Sequence, residues 1–234
     1  MSDRALLIPT VTVDGPSGVG KGALCQWLAS QLHWHLLDSG ALYRLTALAA
    51  LGRGLPLEAE AEVAAVAAGL NVEFLAKTGD ALIIRLDGAE VGPELRSESC
   101  GNAASQVAAL PAVRMALLQR QRDFRRWPGL IADGRDMGTV VFPDATLKLF
   151  LSATSEERAL RRYKQLREKG LDANLKSLVE EINVRDSRDA HRAVAPLQPA
   201  IDAEVLDTTH MNIKEVCDWA WQQLMQRLSV QENL

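Results

Sequence analysis

Cysteine is scarce in this chain. Its 234 residues include three, Cys25, Cys100 and Cys217, far apart and without a C-x-x-C spacing. That argues against a zinc site or a disulfide scaffold and for reduced thiols in the cytoplasm. Four histidines give one close pair, His33 and His35, which reads as a helix end followed by a strand start. Long apolar runs are missing too. The longest uncharged stretches, such as Gly22 to Leu37, carry Gln and His and fall short of the ~18 apolar residues a membrane span needs. The first residues, Met1-Ser2-Asp3-Arg4, lack the positive start and apolar segment of a signal peptide. There is no long-period repeat and no low-complexity tract. An excess of positive charge is also absent: 30 acidic against 26 basic residues leave a net charge of -4, the wrong sign for a protein that coats nucleic acid. The expectation is a globular protein with neither a membrane nor a nucleic-acid partner.

What is present is an ordinary globular composition, 47% hydrophobic and 24% charged, with apolar segments of two periods. Short β-branched or apolar runs at 7–13, 35–38, 129–133, 146–151 and 204–207 predict buried strands. Between them lie helical spacings: Leu24, Cys25, Leu28 and Leu32 after Lys21; a helix from Ser39 toward Leu51; one from about 97 to 126, interrupted or bent near Pro111; one opened by the Thr154/Glu157 capping box and closed near Gly170; one over about 175–188; and a final one carrying Ile213, Val216, Cys217, Ala220 and Leu224. Strands alternating with helices predict a five-stranded parallel sheet covered on both faces. The stretch from Arg53 to Glu94 departs from this pattern, with eight acidic and three basic residues. Alternation at Val72, Phe74 and Ala76, then at Leu82, Ile84 and Leu86, with turns at Thr78-Gly79-Asp80 and Asp87-Gly88, predicts a small inserted antiparallel sheet. The expected organisation is a core of 1–52, 100–154 and 193–234, an inserted β subdomain at about 53–99, and a helical lid at about 155–192.

In open parallel sheets, ligands sit at the carboxyl ends of the strands. After the first strand, Gly15-Pro16-Ser17-Gly18-Val19-Gly20-Lys21-Gly22-Ala23 has the glycines that let successive N–H groups converge on an oxyanion. A helix N-terminus follows, and Lys21 supplies an ammonium to bridge the phosphates of a nucleotide. A strand before and an amphipathic helix after supply the context that gives this pattern meaning. The usual hydroxyl after the lysine is missing, since Gly22 and Ala23 stand there. Mg²⁺ is therefore expected on phosphate oxygens and water, with Asp14, Ser17 and Asp133 as candidate outer partners and its protein ligands unknown. The N-K-x-D and D-x-x-G sequences of a GTPase are absent. Arginines are plentiful instead: Arg44, Arg96, Arg114, Arg135 and a basic set from Arg158 to Arg192. They suit phosphoryl transfer between two anionic nucleotides, where an acceptor phosphate needs no general base. Arg158, Arg161 and Arg162 are the candidates to reach the donor. Two other readings are weaker: a kinase for another small acceptor, and nucleic-acid binding through Arg120, Arg122, Arg125 and Arg126 beside Phe124 and Trp127.

Six stretches carry a family resemblance: V-D-G-P-S-G-V-G-K-G (13–22), H-L-L-D-S-G-A-L-Y-R (35–44), N-A-A-S-Q-V-A (102–108), G-L-I-A-D-G-R-D-M-G-T-V-V-F-P-D-A (129–145), S-E-E-R-A (155–159) and R-D-S-R-D-A-H-R-A-V-A-P-L (185–197). On these the chain resembles the bacterial cytidylate kinases of the nucleoside monophosphate kinase group. The resemblance implies a P-loop kinase fold and transfer from ATP-Mg²⁺ to CMP or dCMP, carried out by a monomer. It implies that Ser39, Tyr43 and Arg44 receive the monophosphate, that Ser105, Arg114 and Asp136 read the cytosine, and that Arg185 and Asp189 lie near the sugar. Arg135 and Arg192 match residues that meet the transferred phosphoryl group. With Lys21, these two are the expected catalytic residues. Ala23 departs from the family's usual Thr.

Overall fold

The computed structural model describes residues 8–76, 82–95, 97–168 and 170–232. The elements are, in chain order, β1 (Thr10–Asp14), α1 (Lys21–Leu32), β2 (His35–Asp38), α2 (Ser39–Gly52), α3 (Glu60–Ala68), β3 (Val72–Ala76), β4 (Leu82–Leu86), β5 (Ala89–Glu90), α4 (Gly92–Leu95), α5 (Glu98–Val107), α6 (Pro111–Arg122), β6 (Leu130–Asp133), a π-helical turn (Met137–Val141), β7 (Leu147–Ser152), α7 (Ser155–Glu168), α8 (Leu175–Ala190), β8 (Glu204–Asp207) and α9 (Ile213–Glu232). They divide into two compact units, Met1–Asp38 with Gln121–Leu234, and Ser39–Arg120.

The first unit is built on a five-stranded sheet in the order β2-β6-β1-β7-β8, every neighbouring pair parallel. This is the expected parallel sheet, and the strands fall where β-branched and apolar residues cluster. Alternation decides which residues face which layer. Val11, Val13, Leu147, Leu149 and Leu151 join Leu24, Cys25 and Leu28 of α1 and Val216, Cys217, Ala220 and Leu224 of α9 in one core. Truncating a fully buried leucine there, such as Leu24→Ala, costs about 2–5 kcal/mol. Trp27 and Trp221 lock the two helices edge to face, ring centroids 5.7 Å apart. The other face carries Thr10, Thr12, Asp14 and Lys148, all buried, beside the apolar Leu37, Leu130 and Ala132 of the neighbouring strands. His33 closes α1 in the left-handed region at φ 54°, and His35 opens β2 with its Nε2 2.9 Å from the Trp127 carbonyl. Both histidines are thus structural, as expected.

α7 and α8 form a helical hairpin. The Thr154 hydroxyl caps α7 at Glu157 N, Gly170 follows its end at φ 73°, and the Asn174 side chain caps α8 at Ser177 N.

In the second unit, α2 buries Ala41, Leu42, Leu45, Ala47, Ala49 and Ala50, and α5 buries Cys100, Ala103, Ala104 and Val107. Small residues on both helices allow close approach. Glu60 of α3 accepts from Ala112 N at 2.7 Å, holding the first turn of α6. The antiparallel sheet expected in the acidic stretch is present as β3-β4-β5, with Val72 opposite Leu86 and Ala76 opposite Leu82. Asp87 (φ 50°) and Gly88 (φ 83°) make its second turn, the two positive angles a tight hairpin demands. The expected Thr78-Gly79-Asp80 turn lies outside the described residues, as does Arg96.

The helical stretch expected over about 97–126 is interrupted at Pro111, which starts α6 after α5 has ended. Two features differ from expectation. The acidic stretch contains a helix, α3, as well as strands. The segment after β6 folds into a π-helical turn. The three cysteines are free and buried. Among the described residues no helix is long and apolar enough to cross a membrane.

Candidate active site

The loop from Gly15 to Gly20 leaves β1 and runs into α1. Its first residue has no room for a side chain. A Cβ on Gly15 (φ 143°) would stand 2.1 Å from the Leu151 carbonyl oxygen of β7, so only glycine lets the loop start so close to the sheet. Gly20 precedes α1 in the left-handed region at φ 98° and brings no capping side chain. The first amides of α1 therefore remain available to an anion, with the helix dipole behind them.

Lys21 is buried, 6% exposed. Its Nζ donates to the Pro16 carbonyl at 2.9 Å and stands 3.8 Å from Asp133 Oδ1 at the end of β6. Burial, with the Arg135 guanidinium nearby, pushes the ammonium down to about 8. Burial also pushes Asp133 up to about 6, against the pull of Lys21. At neutral pH the pair is charged on both sides.

Arg135 donates from Nε to Asp189 Oδ2 at 3.1 Å, and Arg192 donates to the Asp189 carbonyl at 3.2 Å. Burial alone would raise the Asp189 carboxyl, but Arg135, Arg192 and Arg185 outweigh it and hold it below the usual range. Arg185 also acts electrostatically on Lys21. Lys21, Arg135, Arg185 and Arg192 thus converge around Asp133 and Asp189, with Asp14 and Asp38 within electrostatic reach of the Lys21–Asp133 pair. Clustered guanidinium and ammonium donors of this kind suit a dense anion.

The three arginines expected to reach the donor are tied into the protein. Buried Arg158 donates to the carbonyls of Ser17 and Ala153 and pairs with Asp186 of α8. It joins the 15–20 loop to both helices of the α7–α8 hairpin. Arg161 donates to the Thr208 carbonyl at 2.6 Å and pairs with Glu157, and Arg162 bonds Gln165 on the same helix.

Asp136, 2% exposed, immediately precedes the π-helical turn. Asp14 faces the same turn: its Oδ1 accepts from Met137 N and its Oδ2 from Gly138 N, each at 2.8 Å. Burial pushes the Asp14 carboxyl up to about 7 despite those bonds. Each oxygen of Asp14 thus accepts one backbone bond. Among the described residues no group of three or more His, Cys, Asp or Glu could hold a metal ion.

In the second unit, the Arg114 guanidinium lies over the Tyr43 ring, 5.8 Å from its centroid, and donates to the Ala108 carbonyl at 3.2 Å. Ser39 and Ser105 are buried on α2 and α5 of the same unit. Arg44 donates to the Leu95 carbonyl, which ties α2 to α4.

The basic cluster at 120–126 serves packing. Arg120 holds the Leu70 carbonyl, Arg122 those of Val140 and Val141, and Arg125 forms a fork with Asp144 and lies over Phe142. Sequence reasoning missed Asp14 as the partner of the π-helical turn. The only signal was an acidic residue ending an otherwise apolar strand.

A family model for cytidylate kinase matches residues 11–226. The chain is 58% identical to the cytidylate kinase of Aeromonas hydrophila over 210 residues, 90% of this chain and 91% of that one. It is 57% identical to that of Photobacterium profundum over 220 residues, 94% and 96% of the two chains. It is 55% identical to that of Klebsiella pneumoniae strain 342 over 223 residues, 95% and 98% of the two chains.

Proposed function

This chain belongs to the cytidylate kinase family, and from that premise we propose that it transfers the terminal phosphoryl group of ATP to CMP or dCMP, giving ADP and CDP or dCDP. The observation that carries the reading is the convergence of Lys21, Arg135, Arg185 and Arg192 beside an uncapped helix start. The loop amides and Lys21 hold the donor phosphates. Arg135 and Arg192, oriented by Asp189, neutralise charge on the group in transit. The acceptor phosphate oxygen attacks the γ-phosphorus, and the bond to the β,γ-bridging oxygen breaks, leaving ADP. The acceptor is already an anion, so no side chain need take its proton.

Mg²⁺ fits as a passenger on the triphosphate, held by phosphate oxygens and water, since Ala23 offers no hydroxyl, with Asp14, Ser17 and Asp133 as candidates to reach its water shell. When bound it neutralises charge on the β- and γ-phosphates. Arg158 acts on the donor through the loop carbonyl it holds, while Arg161 and Arg162 lie on the lid helix that closes over ATP and excludes water. Ser39, Tyr43 and Arg44 receive the acceptor phosphate. Arg185 and Asp189 approach its sugar.

Base choice follows from polarity. Cytosine offers an amino donor at N4 and acceptors at N3 and O2. Asp136 and Ser105 accept from N4, and Arg114 donates to the others. Uracil places a carbonyl where the carboxylate needs a donor, a mismatch of about 1–3 kcal/mol. The protein acts as a monomer in the cytoplasm in this reading.

A coupled ADP-release assay with ATP-Mg²⁺ and CMP, dCMP, UMP, AMP and GMP tests the assignment. CMP and dCMP are expected to lead, and equal rates across the panel would overturn it. Asp136→Ala is expected to lower kcat/KM for CMP far more than for UMP. Equal losses would remove Asp136 from base reading.

A further inference from the structure

We infer that Asp14 is a positioning residue for base recognition: it holds the turn that carries Asp136 in register with the phosphate loop. Asp14 is the last residue of β1, and Gly15 follows it. Its carboxylate reaches from the end of that strand to the first two amides of the π-helical turn, Met137 N and Gly138 N. Those amides belong to the turn whose N-cap position is Asp136, and the Asp136 side chain makes no capping bond to it. An aspartate at that position ordinarily bends back to cap its own helix. Here Asp14 does the capping from another element, so the Asp136 carboxylate is not drawn back onto the turn it precedes.

Two further contacts hold this segment against β1, and a third closes the turn on itself. Gly134 N donates to the Val13 carbonyl at 3.1 Å. A Cβ on Gly138 would stand 2.9 Å from Thr12 Oγ1 and 3.1 Å from Lys148 Cδ, so the turn sits as near the strand as a backbone can. The Val140 and Val141 amides close back on the Asp136 carbonyl at 2.9 and 3.2 Å. Strand β1 therefore sets two things with adjacent residues: the start of the phosphate loop through Gly15 and the height of Asp136 through Asp14. A buried anion next to Asp136, countered by Lys21, is electrostatically unfavourable. An apolar or amide residue would pack there more cheaply, but neither offers the two acceptor oxygens that Asp14 turns to two amides.

The inference rests on the reading of Asp136 as the group that faces the cytosine amino function. The test compares Asp14→Asn with Asp136→Asn, measuring kcat/KM for CMP and for UMP and KM for ATP. Asparagine keeps the shape of Asp14 but turns a donor toward one of the two amides. With Asp14→Asn the CMP-to-UMP ratio is expected to fall about tenfold, the size of one misplaced hydrogen bond, while KM for ATP stays within about threefold. Asp136→Asn is expected to lower the ratio at least as far. If Asp136→Asn lowers the ratio and Asp14→Asn lowers CMP and UMP equally, Asp14 is only structural and the inference fails alone. If Asp136→Asn leaves the ratio unchanged, the base reading itself fails and takes the inference with it. Should Asp14→Asn not fold, Asp14→Ser, which keeps a single short acceptor, carries the same comparison with the same outcomes.

Discussion

Lys21 Nζ stands 3.8 Å from Asp133 Oδ1 in a buried pair that joins the start of α1 to the end of β6. Desolvation brings the lysine down to about 8, so in the free enzyme the ammonium is lost as pH rises through that value. kcat/KM for ATP, which reports the free enzyme, is expected to fall above pH about 8. Bound phosphates favour the ammonium, so the alkaline limb of kcat should lie at higher pH than that of kcat/KM. In Lys21→Arg the guanidinium stays charged throughout, and the limb should vanish from whatever activity remains. Parallel limbs in the wild-type protein at one pH would show that another group titrates.

The same lysine should dominate turnover. In the proposed reaction Lys21→Met removes the ammonium that meets charge developing between the β- and γ-phosphates, and one such donor accounts for ~10²–10³ in kcat. The steady-state rate at saturating ATP-Mg²⁺ and CMP measures it. Near-normal turnover would remove Lys21 from the transferring site.

Gly138 is expected to tolerate no methyl group. Gly138→Ala places a Cβ 2.9 Å from Thr12 Oγ1 and 3.1 Å from Lys148 Cδ, both inside a buried layer. Overpacking of that kind costs about 1–3 kcal/mol. Adding Thr12→Ala removes the nearer obstacle and should restore part of the loss, seen as a non-additive double-mutant cycle in urea unfolding. Additive effects would mean that the turn moves aside freely.

The local elements were legible in the sequence where one period ruled. The five strands showed as short β-branched or apolar runs, α7 through its Thr154/Glu157 box, and the Asp87-Gly88 turn through its residue types. Each is fixed by neighbours within a few positions. α3 was masked by its setting. Glu-Ala-Glu-Val-Ala-Ala-Val-Ala-Ala is a strong helix former, but it sits in an acidic stretch whose alternating residues point to strands. The π-helical turn was not legible at all. Two of the bonds that fix it come from Asp14, 123 and 124 residues away in sequence, and no local pattern encodes a contact that distant. The candidate site divides the same way. The phosphate loop is contiguous and readable, whereas the Arg135–Asp189–Arg192 contacts depend on how α8 packs. The commitment of Arg158 to Ser17 and Asp186 is likewise a tertiary fact.

Asp14 also makes stability depend on pH in a direction that can be derived. Its carboxyl is raised by burial from 3.8 to about 7 in the folded protein. Between those values the native state keeps a proton that the unfolded chain has released. The stabilisation is therefore whole below about pH 4, declines as pH rises, and is gone above about 7. The amide of Asp14→Asn has no such titration, while Lys21, Asp133 and the other groups titrate in both proteins and largely cancel in the difference. Asp14→Asn should thus be the less stable protein at pH 5, where it lacks one acceptor. It should gain on the wild type by about 2–3 kcal/mol between pH 5 and pH 8, since each pH unit crossed below about 7 is worth ~1.4 kcal/mol. Urea unfolding of both proteins at the two pH values measures the double difference. A difference that stays constant would mean that Asp14 keeps its charge across the range and that the amides of Met137 and Gly138 stabilise the anion more than burial opposes it.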